Sequence, residues 1–131
     1  MKKFLSVLVV VVGFALTSAS SVKAAGLDIV KGDIIAAFFL LEASVFENQK
    51  DLLDDTTSSS LQTPDEDYKT LALIADDLAI CYEIATAFPA FSGFIKPLLM
   101  DALNNANSLD FSGNSLTFCI IALKQGIADA P

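Results

Sequence analysis

Residues 63–89 read TPDEDYKTLALIADDLAICYEIATAFP, a run with a marked start and a marked stop. Thr63 has a side-chain oxygen that can cap the free N–H groups of a first helical turn. Pro64 suits the first helical position, where no N–H is needed, and Glu66 stands where a capping box places its acid. Pro89 ends the run about seven turns later, because its ring displaces a helical carbonyl. Inside, Leu71, Ile74, Leu78, Cys81, Ala85 and Phe88 recur at three- and four-residue steps. They form one apolar stripe, which the rest of the chain has to cover.

Three other segments carry the same spacing. Ile34, Phe38, Leu41, Val45, Asn48 and Leu52 predict a helix over 33–54, starting as early as Leu27 with Gly32 as its weak point. Asp33 is its expected cap, Phe39, Phe46 and Leu53 broaden its stripe, and Glu42, Glu47, Lys50, Asp51 and Asp54 form its polar side. Thr56–Gln62, TTSSSLQ, reads as the loop that follows. After the 64–88 helix, AFSGFIKP forms an irregular aromatic corner. A third helix over 96–107 takes Pro97 early and turns Leu98, Leu99, Ala102, Leu103 and Ala106 inward. The connection Ser108–Asn114 contains Gly113. A fourth helix over 115–125 has Leu116, Cys119, Ile120, Leu123 and Ile127 as its stripe, with Gly126 expected to close it. LTFCIIAL there also fits a strand, but no other segment supplies a pairing partner for one. The expected fold is all-α, a small antiparallel four-helix bundle.

That fold places the two cysteines. At about 1.5 Å per residue, Cys81 lies roughly 10 Å above the lower end of its helix, and Cys119 roughly 9 Å above the same end. Both sit in apolar stripes, so a disulfide between Cys81 and Cys119 is expected.

Residues 1–24 resemble a secretory signal: Lys2 and Lys3, an apolar core Phe4–Leu16, and the small-x-small site Val22-Lys23-Ala24. The 13-residue core is shorter than the roughly 20 residues of a membrane span. The chain is therefore expected to be exported, periplasmic or extracellular after cleavage near Ala24, with 25–131 as a single helical domain and no transmembrane segment.

Removing Lys2, Lys3 and Lys23 from the eight lysines leaves five against 16 acids, a net charge of −11 with no Arg and no His. Such a domain repels phosphate backbones, so nucleic acid is excluded as a partner. Anionic membranes are disfavoured on the same ground. The acids cluster at one end of the expected bundle: Asp51, Asp54 and Asp55 before the Thr/Ser loop, Asp65, Glu66 and Asp67 after it. This acidic pole is the candidate binding surface for a basic protein partner.

No catalytic set rises above composition. Without His the commonest general base is missing, and there is no phosphate-binding glycine loop. Asp76 and Glu83 fall on the face opposite the core stripe, and the carboxylate pairs that Asp76, Asp77 and Glu83 could form read as a solvated face. The acidic residues lack the spacing of a calcium loop. No enzyme, cofactor or metal is therefore expected. The leading reading is a non-enzymatic protein-binding module of inhibitor, immunity, chaperone or effector type. A second is a carrier of an apolar molecule or lipid, lined by Phe38, Phe46, Phe91, Phe94 and Phe118. A third is a self-associating homodimer, because Phe39, Phe46 and Phe91 are more than one small core can bury and leave a patch for a second copy.

Overall fold

The computed structural model describes residues 27–48 and 64–131, the side chains of Pro64 and Asp65 excepted. The expected signal at 1–24, the Thr63 cap, the Thr/Ser loop, Leu52 and Leu53 lie outside these residues. So does the first helix beyond Asn48. Among the described residues four α-helices follow in order: α1 Asp28–Glu47, α2 Pro64–Ala87, α3 Ile95–Asn107 and α4 Ser115–Asp129. A 3-10 helix, Pro89–Phe94, joins α2 to α3. No strand occurs among the described residues, so 115–125 is helix.

Side-chain contacts fix the directions. The Asn48 amide at the end of α1 bonds Ser112 just before α4, and Asp33 near the start of α1 meets Asp129 at the end of α4. Those two helices therefore run antiparallel. Asp77 reaches Asp101 and Cys81 reaches Ile95, so α2 and α3 also run antiparallel. Gly126 of α4 packs on Leu99 of α3. The bundle closes as a ring: α1 against α4, α4 against α3, α3 against α2, α2 against α1. At the first pole α1 and α3 begin and α2 and α4 end; the second pole holds the opposite ends.

The core forms where the stripes meet. Ile34, Phe38, Leu41 and Val45 of α1 are buried with Leu71, Ile74, Leu78 and Ala85 of α2. Leu99, Ala102 and Ala106 come from α3, and Leu116 and Leu123 from α4. This continuous apolar centre is what a four-helix ring has to bury, since each amphipathic helix gains most of its stability from packing.

Several expectations are corrected. Cys81 and Cys119 are buried free thiols, not a disulfide. Their levels along the bundle are close, but α2 and α4 are not ring neighbours and share almost no close backbone approach. A disulfide needs Cα atoms within about 7 Å. Each thiol instead meets the backbone of an adjacent helix: Cys81 donates to Ile95 O (3.6 Å) and Cys119 to Ala37 O (3.4 Å). Asp33 is not a cap; α1 starts at Asp28 and runs through the exposed Gly32. Phe39 and Phe46 do not widen the core stripe but are exposed, as is Phe88 at the end of α2. Gly126 does not close α4, which continues to Asp129. It is buried, and a Cβ there would stand 3.1 Å from Leu99 Cδ1 and 3.4 Å from Asp33 Cβ. The glycine lets three helices approach.

Candidate functional site

Three seams of the bundle bring carboxyl groups together. Asp77 of α2 is 8 % exposed and faces Asp101 of α3. Asp33 of α1 faces Asp129 of α4. Asp67 of α2 is buried with Asp110, from the α3–α4 connection, nearby. Asp33 Oδ2, Asp67 Oδ1 and Asp77 Oδ2 are buried with no donor to satisfy them while they are ionised. A proton resolves two of these contacts: a protonated Asp77 donates to Asp101, and a protonated Asp33 donates to Asp129.

The acidities follow. Burial first, then the hydrogen bond and charge of Asp101, then Asp76, push Asp77 up to about 7. Burial, then the hydrogen bond and charge of Asp129, push Asp33 up to about 6. Asp129 moves down because it accepts from Asp33 and Gln125. Burial, with Asp110 and Glu66 adding repulsion, raises Asp67. Asp77 therefore does not belong to a solvated face, although Asp76 and Glu83 beside it are exposed. The spacing carried that signal: Asp77 lies three residues after Ile74 and four before Cys81, on the apolar stripe itself.

Aromatic residues dominate the first pole. The backbone before Pro89 is barred from helical angles, and Phe88 takes φ −133°, ψ 58°. The chain then turns through the 3-10 helix, with Phe91 N–H bonded to Phe88 O at 2.9 Å. Phe88, Phe91 and Phe94 all remain at least half exposed. The Phe91 and Phe94 rings lie 6.3 Å apart, tilted by 38°. No charged residue occurs between Glu83 and Lys96. Ile95, fully buried, anchors the corner to the core.

At the second pole the last residues of α1 hold the loop before α4. Asn48 Nδ2 donates to Ser112 O (3.0 Å), and Ser112 N donates to Asn48 Oδ1 (2.9 Å). Glu47 Oε1 accepts from Ser115 N (3.1 Å), so α4 is capped by another helix while its own Asn114 makes no side-chain cap. The carboxylate also suits the positive end of the α4 dipole. Gly113 turns beneath it with φ 89°, where a Cβ would collide with the Glu47 carboxylate.

The expected acidic pole is only partly in view. Asp51, Asp54 and Asp55 lie outside the described residues, as does the Asp65 side chain. Glu66 is exposed, whereas Asp67 turns inward. The five expected lining residues do not converge on one cavity. Phe38 is in the core, Phe46 and Phe118 are exposed on α1 and α4, and Phe91 and Phe94 are in the first-pole corner. One cleft of about 460 Å³, widely open to solvent, runs along α3 between Gly93, Lys96, Pro97, Met100, Asp101, Asn104 and Pro131. Asp101 is its only contact with a carboxyl pair; Asp77 does not line it. No group of three or more metal-ligating side chains occurs among the described residues, and no helix among them is long and apolar enough to cross a membrane.

Compared with protein-family models, curated proteins and solved structures, the chain has no match in any of the three.

Proposed function

We propose that this chain is a non-enzymatic binding protein, exported and active in the periplasm or outside the cell, that docks another protein through the Phe88–Phe91–Phe94 corner. The observation that supports this reading is the exposure of three aromatic rings on a stretch without charge, in a chain of net charge −8, or −11 once residues 1–24 are removed. Exposed aromatic residues clustered on a firm turn are what an interface centre requires. The corner starts against the end of α2 and finishes on the buried Ile95, so little order has to be gained on binding. The acidic residues between 51 and 67 add long-range steering toward a partner with a basic rim.

The test is crosslinking capture of extracytoplasmic proteins by three forms: the natural chain, Phe91→Ser/Phe94→Ser, and Asp54→Asn/Asp55→Asn. One partner should be held by the natural chain, lost by the Phe variant and retained by the Asp variant, more weakly at low salt. Retention by the Phe variant with loss by the Asp variant would move the binding surface to the acidic pole. Export is checked by N-terminal sequencing of protein recovered outside the cytoplasm. A chain still beginning at Met1 would contradict cleavage near Ala24.

A further inference from the structure

The outer face of α1 carries a second apolar stripe, back to back with the one that faces the core. Ile29, Gly32, Ala36, Phe39, Ala43 and Phe46 follow one another at steps of three, four, three, four and three residues. Ile29 is 67 % exposed, Phe39 52 % and Phe46 55 %, and a Cβ on Gly32 would meet nothing within 4 Å. Ile35 and Leu40 flank the middle of the stripe, both partly buried. The acids of this helix, Asp28, Asp33, Glu42 and Glu47, stand only along its edges. A helix in a monomeric bundle needs one apolar stripe; a helix apolar around its circumference is a buried one.

We infer that this stripe is the interface of a homodimer, in which α1 of two copies pack antiparallel about a two-fold axis crossing between Ala37 and Phe38. Three-four spacing is the seam of paired helices. An antiparallel match about that axis sets Ala36 against Phe39 of the second copy, Gly32 against Ala43, and Ile29 against Phe46. The Phe39 ring meets a small residue, and the two backbones come closest where Gly32 meets Ala43. A parallel match would stack Phe39 on Phe39 and leave Gly32 opposite Gly32, so it fills space poorly.

Area fits this occupant, and charge sets how salt acts on it. Each half-exposed Phe or Ile offers on the order of 100 Å². Phe118 of α4 is also half exposed, and it stands eleven residues, about three turns, before Asp129, which meets Asp33, so it lies on the α1 side of its helix. With Ile29, Phe39 and Phe46 it presents roughly 400 Å² per copy, to which the exposed Gly32 and Ala36 add, so that the pair buries a little under about 1,000 Å², the size of a weak, reversible interface. The two-fold match sets Asp28, whose charge Lys31 pairs at 2.9 Å, near Glu47 and Asp33 near Glu42, so the acids outnumber the one cation at each rim. The dimer is therefore apolar in origin and opposed by its rim charges, so added salt strengthens it.

Sedimentation equilibrium of the purified protein tests this, at low and high salt. The expected result is a monomer–dimer equilibrium that tightens with salt and stops at two copies. Phe39→Glu should weaken it at least about 100-fold, as loss of a central contact does. Ala36→Lys should act in the same direction, and circular dichroism should show both variants folded, since both sites face outward. Phe91→Ser should leave the dimer unchanged, which separates this face from the aromatic corner. A monomer at millimolar concentration, open-ended assembly, or a dimer indifferent to Phe39→Glu would overturn the inference. So would a monomer that binds phosphatidylcholine vesicles through this face.

Discussion

Asp77 on α2 meets Asp101 on α3 carboxyl to carboxyl, and the contact becomes a hydrogen bond only while one of them keeps a proton. Asp33 and Asp129 repeat the arrangement across the α1–α4 seam. Both seams thus hold a proton that the unfolded chain, with Asp near 3.9, would release in mildly acidic solution.

Stability should consequently rise as the pH falls from 8 to 5. A carboxyl whose folded pKa is raised stabilises the fold fully below its unfolded value and loses that contribution as pH climbs through its folded value. For Asp77 the loss runs from about 4 to about 7, and for Asp33 from about 4 to about 6. The lowered pKa of Asp129 acts in the opposite sense, but only below about pH 4, where its carboxylate is protonated, so it leaves the trend between pH 8 and 5 unchanged. Thermal melts across this range check the sign; a Tm highest at pH 8 would contradict it.

Replacing the proton by a permanent neutral group should remove the effect at one seam. Asp77→Asn keeps the shape and offers Asp101 an amide donor at every pH. The variant should be more stable than the natural protein at pH 8, by on the order of 1–3 kcal/mol. At pH 4–5 the two should be nearly equal. Urea titrations at the two pH values measure the difference.

The thiols should be silent in the native state. Burial, with Asp77 adding repulsion at Cys81, pushes both Cys81 and Cys119 up to about 12. The thiolate is the reactive form, and these side chains are nearly all thiol at neutral pH. Ellman's reagent should titrate two thiols after unfolding and close to none before. A reductant should leave Tm unchanged, whereas a fall in Tm would restore the cross-link.

Asn48→Ala should loosen the second pole. It removes the three hydrogen bonds between Asn48 and Ser112 and leaves the partly buried Ser112 N–H without an acceptor. The cost should be about 1–3 kcal/mol. Native-state hydrogen exchange should show the loss first in the α3–α4 connection and the start of α4. Uniformly faster exchange throughout would argue against a local clasp.

Gly113→Ala should destabilise by a comparable 1–3 kcal/mol. Two causes act together: a positive φ that a side chain resists, and a Cβ driven into the Glu47 carboxylate that caps α4. Pairing the change with Glu47→Ala should recover part of the loss, because the collision disappears while the strain stays.

The helical order could be read because each segment repeats at one period. Leu71, Ile74, Leu78 and Cys81 set the inner face of α2 as firmly in the sequence as in three dimensions. What that reading missed lies between helices. Height along the bundle placed Cys81 level with Cys119, but spacing holds no information on which helices are ring neighbours, and these two are not. Asp77 and Asp33 were assigned by residue type to solvent or a cap, whereas the apolar positions around them already placed both near a seam. Phe39 and Phe46 read both as a broadened core stripe and as a surplus patch, because hydrophobicity marks what would be buried without saying by which molecule; the structure leaves them exposed. The close packing at Gly126 had no local signature, since it depends on Leu99 and Asp33 arriving from two other helices.

The meeting of Asp33 with Asp129 has a consequence for chain order. It sets the start of α1 beside the end of α4, and the ring has no helix that needs its present covalent neighbour to find its place. A circular permutant, with a short linker from Ala130 to Leu27 and new ends between Asn48 and Pro64, would string the helices as α2, α3, α4, α1. All four seams would remain. Because α1 and α4, now far apart in sequence, would become consecutive, their pairing would turn from the most distant closure in the bundle into a local hairpin, and folding should quicken.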